Sequence, residues 1–182
     1  MKSHYGFTLI ELLVVIVIIG LLAGIGIASF GGSLERGKIA KAQSDLKEIK
    51  DIATAAQLAS GKTLVQITGS NCSLCYYCRG LGDLRNVADT HTCAVAWDNI
   101  VTTINATGGA ISGISDIKRD PWGSPYYVDE NEGEYSATDC RRDFFASAGP
   151  NGTIDTYSLI DNHYISTSDD ILISIPLSST CP

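Results

Sequence analysis

Basic side chains are scarce in this chain. Its 182 residues include 13 Lys and Arg against 20 Asp and Glu, which gives a formal net charge of −7. No basic run after Lys50 is longer than two residues. Because proteins bind nucleic acids through clustered Lys and Arg that neutralise phosphates, we expect no nucleic-acid partner.

Groups that commonly carry catalysis are also scarce. The three histidines, His4, His91 and His163, are isolated from one another in the sequence. No Ser, Cys or carboxylate lies at a nucleophile-to-base spacing known from enzymes. A Cys-x-x-Cys-His motif is missing as well, which excludes covalent c-type haem. We therefore expect that the protein is not an enzyme.

The strongest positive feature is an apolar run near the N-terminus. No charged residue lies between Glu11 and Glu35. The uncharged stretch Leu12–Leu34 is about 23 residues long, enough to cross a hydrocarbon core of ~30 Å at about 1.5 Å per residue. A carboxylate in lipid costs roughly 2.5 kcal/mol or more, so Glu11 either lies at the headgroup boundary or has a partner. We expect a transmembrane helix over residues 7–33.

The residues around Glu11 form a specific motif. The segment KSHYG at 2–6, followed by FTLIELLVV at 7–15, resembles the signal of type IV prepilins and type II secretion pseudopilins. This resemblance implies a leader over residues 1–6, cut after Gly6 by a prepilin peptidase that also N-methylates Phe7. It further implies that Glu11 pairs with the amino terminus of an adjacent subunit and sets the register of a filament.

The charges that flank the apolar run conflict with that resemblance about topology. Lys2 lies on one side and Arg36, Lys38 and Lys41 on the other, so the positive-inside rule places the C-terminal part in the cytoplasm. A leader like one cut on the cytoplasmic face, together with six cysteines, favours the opposite orientation. We expect a single-pass protein of the cytoplasmic (inner) membrane, with residues 34–182 as an extracytoplasmic globular domain.

Within that domain, residues 34–60 predict an amphipathic helix that continues the apolar one. Their apolar positions recur at spacings of three and four, and Ser60-Gly61 is a helix stop. These positions are Ala42, Leu46, Ile49, Ala53 and Ala56. Residues 61–120 are loop-like and cysteine-rich, with a short helix expected over Cys93–Ile104.

Residues 121–182 predict short strands separated by Pro, Gly, Asn and Asp. The β-rich runs are Tyr126–Val128, Asp143–Ala148, Thr156–Leu159 and Ile171–Ile175. The order of elements indicates an α+β class. We expect a long N-terminal helix that packs on a small antiparallel meander of three or four strands, and the resemblance implies that this is a pilin fold.

The cysteines predict disulfides. An even number in an exported domain favours three bridges, but sequence does not choose the pairing. The six are Cys72, Cys75, Cys78, Cys93, Cys140 and Cys181. Their Cys-x-x-Cys-x-x-Cys spacing is also compatible with zinc or an iron–sulfur cluster, although the fourth ligand would then be a lone distant residue. We therefore prefer disulfides.

Two polar turns, at 147–156 and 168–171, offer oxygen atoms of the kind that calcium binds. Their spacing alone favours a pair of solvated turns. The run RDPWGSPY at 119–126 resembles the DPWGNPY motif of type II secretion major pseudopilins, with Ser124 in place of Asn. That resemblance implies a calcium site at Asn151, Asp155 and Asp170. Asn151 removes one charge from the family's pattern, and the second glycine-rich stretch of that pattern is absent.

The resemblance implies that the protein is a structural subunit of a homo-oligomeric, pilus-like filament, a type II secretion pseudopilus that drives protein export. Its partners would be minor pseudopilins or pilins and an inner-membrane assembly platform. A type IV pilin for adhesion, motility or DNA uptake is the alternative, because the cysteine-rich region 61–120 departs from compact secretion pseudopilins. A third hypothesis is a membrane-tethered metal-binding module that never polymerises. Glu11→Ala would abolish assembly under the first two hypotheses only.

Overall fold

The computed structural model describes residues 7–69, 77–108, 114–133, 136 and 140–178, with residues 25–30 and 115 through their backbone alone. The helices are α1 (Leu9–Ser60), α2 (Leu64–Thr68) and α3 (Thr92–Thr107), and short 3-10 turns span Leu84–Asn86 and Ile114–Asp116. The strands are β1 (Tyr127–Asp129), β2 (Phe144–Ser147), β3 (Tyr157–Ile160), β4 (His163–Ser166) and β5 (Ile171–Ser174). Two compact units, Met1–Lys38 and Ile39–Pro182, divide the chain.

The first unit contains the beginning of α1. Every large apolar side chain from Phe7 to Leu22 that is described is at least 45% exposed. Among the described residues, no helix combines the length and the apolar character that a membrane crossing requires. The transmembrane segment over residues 7–33 stays a prediction.

The second unit buries the stripe that the sequence predicted on α1. All of its five members are buried, Ala42, Leu46, Ile49, Ala53 and Ala56. Four of them, all but Ala42, share one core with Trp97 of α3, Val128 of β1 and Phe145 of β2. The helix ends at Ser60, and Gly61 follows with φ of +67°. A glycine in this left-handed conformation ends a helix without steric cost, as predicted.

The main sheet has the antiparallel order β1-β2-β5. Val128 lies opposite Phe145, and Phe145 lies opposite Ile173. Because successive side chains of a strand point to opposite faces, β2 sends Phe145 into the core with α1 and Phe144 into a second cluster. That second cluster also contains Cys78, Cys93 and Leu84. The central strand is thus buried on both faces.

The α+β class is confirmed, but the strands do not form a single meander. Strand β3 leaves the main sheet and pairs with β4 in a separate hairpin. Its turn residues Asp161 and Asn162 both have positive φ, at 48° and 62°, as a tight hairpin turn requires. Sequence reasoning missed β4 because His163–Ser166 lacks a clear alternation of apolar and polar residues.

Candidate functional site

Glu11 caps the helix that it begins. Its Oε2 accepts hydrogen bonds from the Thr8 backbone N–H at 2.8 Å and the Thr8 hydroxyl at 2.7 Å. Glu11 N–H donates in turn to Thr8 Oγ1 at 3.3 Å. This reciprocal pattern is a capping box, which a Thr-x-x-Glu spacing signals in sequence and which the sequence analysis missed. Phe7 beside it is 80% exposed, and Gly6 lies outside the described residues.

Three carboxylates meet between the β2–β3 turn region and the start of β5. Asp155, Asp169 and Asp170 each place one oxygen so that all three oxygens lie within 4.8 Å of one another. Asp155 precedes β3, while the adjacent pair Asp169-Asp170 precedes β5. The two polar turns singled out in the sequence are therefore brought together by the fold. We call these three residues the acidic cluster.

Asp170 is the most constrained member of the acidic cluster. Only 7% of it is exposed, and Oδ2 accepts from the hydroxyls of Tyr127 at 2.7 Å and Tyr157 at 2.5 Å and from Asp155 N–H at 3.1 Å. Its other oxygen, Oδ1, is buried without a hydrogen-bond partner. Burial raises the pKa of Asp170 to about 6, against the lowering effect of the two tyrosine hydrogen bonds. A buried, unpartnered carboxylate oxygen is costly unless a cation or proton satisfies it.

Asn151 lies beside the acidic cluster, and its role as a calcium ligand stays a prediction. Its backbone N–H donates to Asp169 Oδ2 at 2.9 Å, and its side-chain amide donates to Asp169 Oδ1. Its own oxygen Oδ1 accepts from the Thr153 N–H at 2.5 Å and the Thr153 hydroxyl at 2.6 Å. Asn151 thus supports Asp169 and is not a member of the acidic cluster. The sequence analysis included Asp169 in the turn 168–171 but not among the expected calcium ligands.

The acidic cluster suits a hard cation. Its donors are carboxylate oxygens on two loops, which is the ligand type that calcium prefers. Calcium there would neutralise mutually repelling carboxylates. Asp155, Asp169 and Asp170 would hold the ion. Two of the three ligands expected from the sequence, Asp155 and Asp170, are therefore among the residues of the acidic cluster.

Cysteine pairing is observed in part. Cys78 and Cys93 form a disulfide, and Cys140 is disulfide-bonded as well. Within the part of the chain that the structure describes, no cysteine is free. Cys72, Cys75 and Cys181 lie outside the described residues, so the remaining pairing stays a prediction.

The turn at 119–126 is a structural element. Asp120 Oδ1 accepts from Trp122 N–H at 3.0 Å and Ser124 N–H at 2.9 Å, and Oδ2 accepts from the Ser147 hydroxyl at 2.6 Å. Gly123 has φ of +101°, which the tight turn requires. The turn leads into β1, whose neighbour Tyr126 donates its hydroxyl to Asp45 of α1 at 3.0 Å. The turn therefore fixes the sheet against the helix.

Known proteins match this chain both over its N-terminal part and over most of its length. The family model described as "Prokaryotic N-terminal methylation motif" matches residues 1–27. Two fimbrial proteins of Pseudomonas aeruginosa are 42% identical over 65 residues, which is 36% of this chain and 42% of each relative. Type II secretion system core protein G of Escherichia coli (strain K12) is 29% identical over 157 residues, 86% of this chain and 89% of the relative. No solved structure matches the chain.

The chain begins with an N-terminal methylation motif, and the part of α1 in the second unit packs on a small antiparallel sheet, an arrangement consistent with type IV pilin-like proteins. The chain is homologous both to the fimbrial proteins and to core protein G. The chain spans about two fifths of the length of the fimbrial proteins that it matches. The names of these relatives describe fimbrial and secretion-system proteins rather than enzymes.

Proposed function

We propose that this protein is a structural subunit of a pilus-like filament of the type II secretion kind, which drives protein export. One observation carries the proposal, the homology to core protein G, because it extends over 86% of the chain and so includes the globular unit. The motif match at residues 1–27 adds the processing signal that such a subunit needs.

Processing would create the group that Glu11 pairs with. A prepilin peptidase and N-methyltransferase would cut after Gly6 and methylate the new amine of Phe7. Before assembly the subunit would be anchored in the cytoplasmic membrane through residues 7–33, with its globular unit outside. Thr8 holds Glu11 Oε2, and the amine of a neighbouring subunit would pair with the same carboxylate.

Assembly would bury the apolar side chains of the first unit. Those from Phe7 to Leu22 are at least 45% exposed, and an apolar surface of this extent requires lipid or another protein surface. An inner-membrane assembly platform would transfer the helix from lipid into a bundle of identical helices, alongside minor pseudopilins or pilins. Helix-to-helix contacts would then replace lipid contacts.

A type IV pilin for adhesion, motility or DNA uptake is the second candidate. The 42% identity to fimbrial proteins supports it, although that match covers 36% of the chain. The Cys78–Cys93 disulfide supports it too, because region 61–120 of compact secretion pseudopilins is normally poor in cysteine. A third candidate, a membrane-tethered metal-binding module that does not polymerise, is supported by the acidic cluster alone.

The proposal includes calcium as a structural ion at Asp155, Asp169 and Asp170. The unpartnered buried Oδ1 of Asp170 supports it. Asp170→Asn should weaken calcium binding by roughly tenfold or more, since affinity in such sites follows the number of charged ligands. The exposed Asp161→Asn is the matched control and should leave calcium affinity unchanged. Equal affinities in the two variants would contradict this assignment.

The intact mass of the protein from its own membrane, measured without reductant, tests the central proposal. The expected mass is that of Phe7–Pro182 plus one methyl group and minus six hydrogens. A mass that retains Met1–Gly6 would mean that Phe7 has no free amine for Glu11. The filament proposal would then give way to the tethered metal-binding module.

A further inference from the structure

We propose that the loop closed by the Cys78–Cys93 disulfide is a clamp that holds the acidic cluster in its ligating arrangement, with Arg85 as the positioning residue. The inference rests on the proposed calcium site. The proposal assigns a role to the Arg85 guanidinium, which is positively charged like the ion. Arg85 would act on the acidic cluster through the backbone of the turn 149–152, which lies between them.

The clamp binds the backbone of the turn 149–152 through hydrogen bonds. Leu84 N–H donates to Gly152 O at 2.7 Å, and Arg85 Nη1 donates to Pro150 O at 2.8 Å. Asp83 fixes the Arg85 guanidinium, because its Oδ1 accepts from Nε at 2.8 Å and its Oδ2 from Nη2 at 2.6 Å. A guanidinium held in this bidentate way has a defined direction. Two carbonyls of the turn are thereby tied to the loop.

The contact between the loop and the turn leaves no room for a side chain at Gly152. A Cβ there would lie 2.4 Å from Asp83 Oδ1 and 2.8 Å from Arg85 Nε. Contacts this short force one side to move. The turn therefore lies directly against the Asp83–Arg85 pair.

The other end of the same turn rests on the acidic cluster. A Cβ at Gly149 would lie 2.3 Å from Asp169 O. Asn151 binds both carboxylate oxygens of Asp169, through its backbone N–H at 2.9 Å and through its side-chain amide. The contacts thus run without a break from Arg85 through the turn to Asp169.

The disulfide anchors the clamp to the core. Cys78 and Cys93 are 1% and 0% exposed and belong to the same buried cluster as Leu84, which is 0% exposed. Leu84 stands between Asp83 and Arg85 in the sequence. The loop is therefore fixed at both ends by the disulfide and in its middle by Leu84, next to Asp83 and Arg85.

Because Arg85 is positively charged, the proposal can be tested by the direction in which calcium affinity changes when Arg85 is replaced. Removing a positive charge removes Coulomb repulsion of a bound cation, which by itself raises cation affinity. Removing the clamp has the opposite effect, because Asp169 is no longer held in place. A weaker calcium affinity without Arg85 can therefore not come from the lost charge.

The experiment is calcium titration calorimetry on the full chain in detergent at physiological ionic strength. Arg85→Met should weaken calcium binding by roughly tenfold, the low end for loss of a group that orients a metal ligand. Arg85→Lys keeps the charge and loses the bidentate fork, so its affinity should fall between those of Arg85→Met and the natural protein. Lys118→Met removes another ion-paired base, bound to Asp98 at 2.9 Å, and should not weaken binding.

The outcomes distinguish the proposed calcium site from the proposed clamp. No calcium binding by the natural protein would overturn the calcium site and the clamp together. Calcium binding that is unchanged or tighter in Arg85→Met would overturn the clamp alone. Thermal melting without calcium identifies a purely structural role, in which Arg85→Met and Arg85→Lys lower the melting temperature and leave calcium affinity as it was; that result would also overturn the clamp.

Discussion

The two compact units of this chain use apolar residues in opposite ways. In the first, Leu13 of α1 is 57% exposed, while in the second, Leu46 of the same helix is 1% exposed. The first unit thus leaves its apolar side chains for surfaces outside the subunit, whereas the second uses them for its own core. Under the proposed function, one helix serves assembly in its first part and folding in its second.

The units differ also in how their functional groups are arranged along the chain. Thr8 and Glu11 are three residues apart and meet within one helical turn. Asp155 and Asp170 are farther apart and meet only because β3 and β4 fold back between them. The contact between Thr8 and Glu11 therefore needs only one helical turn, whereas the acidic cluster needs the folded second unit.

The sharpest test of the first unit is Glu11→Ala, which should abolish filament assembly. Glu11→Gln should also fail, since its amide oxygen still accepts from Thr8 but lacks the charge that attracts an amine. Glu48→Ala, on an exposed face of α1, is the control and should assemble. Filaments sheared from cells and detected by immunoblotting provide the measurement. Normal assembly of Glu11→Gln would show that helix capping, rather than charge pairing, is what matters.

A matched pair of leucine truncations compares the units directly. Leu46→Ala should lower the free energy of unfolding by roughly 2–5 kcal/mol, because it leaves a cavity in a packed core. Leu13→Ala should change it by about 0.5 kcal/mol or less, as at exposed positions in general. Denaturant unfolding of the full chain in detergent measures both. Equal destabilisation would contradict the exposure of Leu13 in the isolated subunit.

The third test concerns a buried acid of the second unit. Asp143 is 2% exposed, and its Oδ1 accepts from Asn131 N–H at 2.6 Å and Glu132 N–H at 2.8 Å. Burial raises the pKa of Asp143 to about 7, and the charges of Glu132 and Glu130 act in the same direction. The raised pKa means that Asp143 favours folding most below about pH 4, its ordinary pKa, and that this contribution is lost as the pH rises through about 7.

Asp143→Asn should remove that loss. Its amide oxygen can keep both backbone hydrogen bonds, so the variant should be more stable than the natural protein at pH 8 by roughly 1–3 kcal/mol. Its stability should also vary less between pH 4 and 7. Chemical unfolding at several pH values measures this, with the exposed Asp161→Asn as the control. An unchanged pH profile in Asp143→Asn would contradict the assignment.

The smallest expected effect lies at the start of α1. Thr8→Val removes the hydroxyl of the capping box and should destabilise the first helical turn by about 1 kcal/mol. Thr8→Ser keeps the hydroxyl and is the control. Amide hydrogen exchange at residues 9–12 should become faster in Thr8→Val alone. Equal exchange in the two variants would mean that Glu11 caps the helix without help from Thr8.

Sequence reasoning succeeded where a pattern is local. The five buried positions of α1 repeat at helical spacing, and α3 covers the predicted Cys93–Ile104. The motif that contains Phe7 and Glu11 is contiguous, so its recognition needed no fold. Strand β4 and the separate hairpin escaped prediction because polar His163 and Ser166 hide the alternation.

Sequence reasoning failed where function depends on contacts between distant residues. The resemblance predicted Asp155 and Asp170 as ligands. The hydrogen bonds of Asn151 to Asp169 and Thr153 depend on side-chain orientations, which the sequence alone does not reveal. The pairing of Cys78 with Cys93 and the reach of Arg85 to Pro150 likewise follow from the three-dimensional arrangement. No spacing rule relates Arg85 to a turn that lies so far along the chain.

The turn 149–152 limits how this protein can vary. At both of its ends a side chain is excluded twice, by contacts below 2.5 Å and by positive φ of 62° at Gly149 and 74° at Gly152. A library of random codons selected for a folded product should therefore return glycine at both ends. Only Pro150 and Asn151 can then be replaced without steric conflict, so two of the four positions in this turn are restricted to glycine.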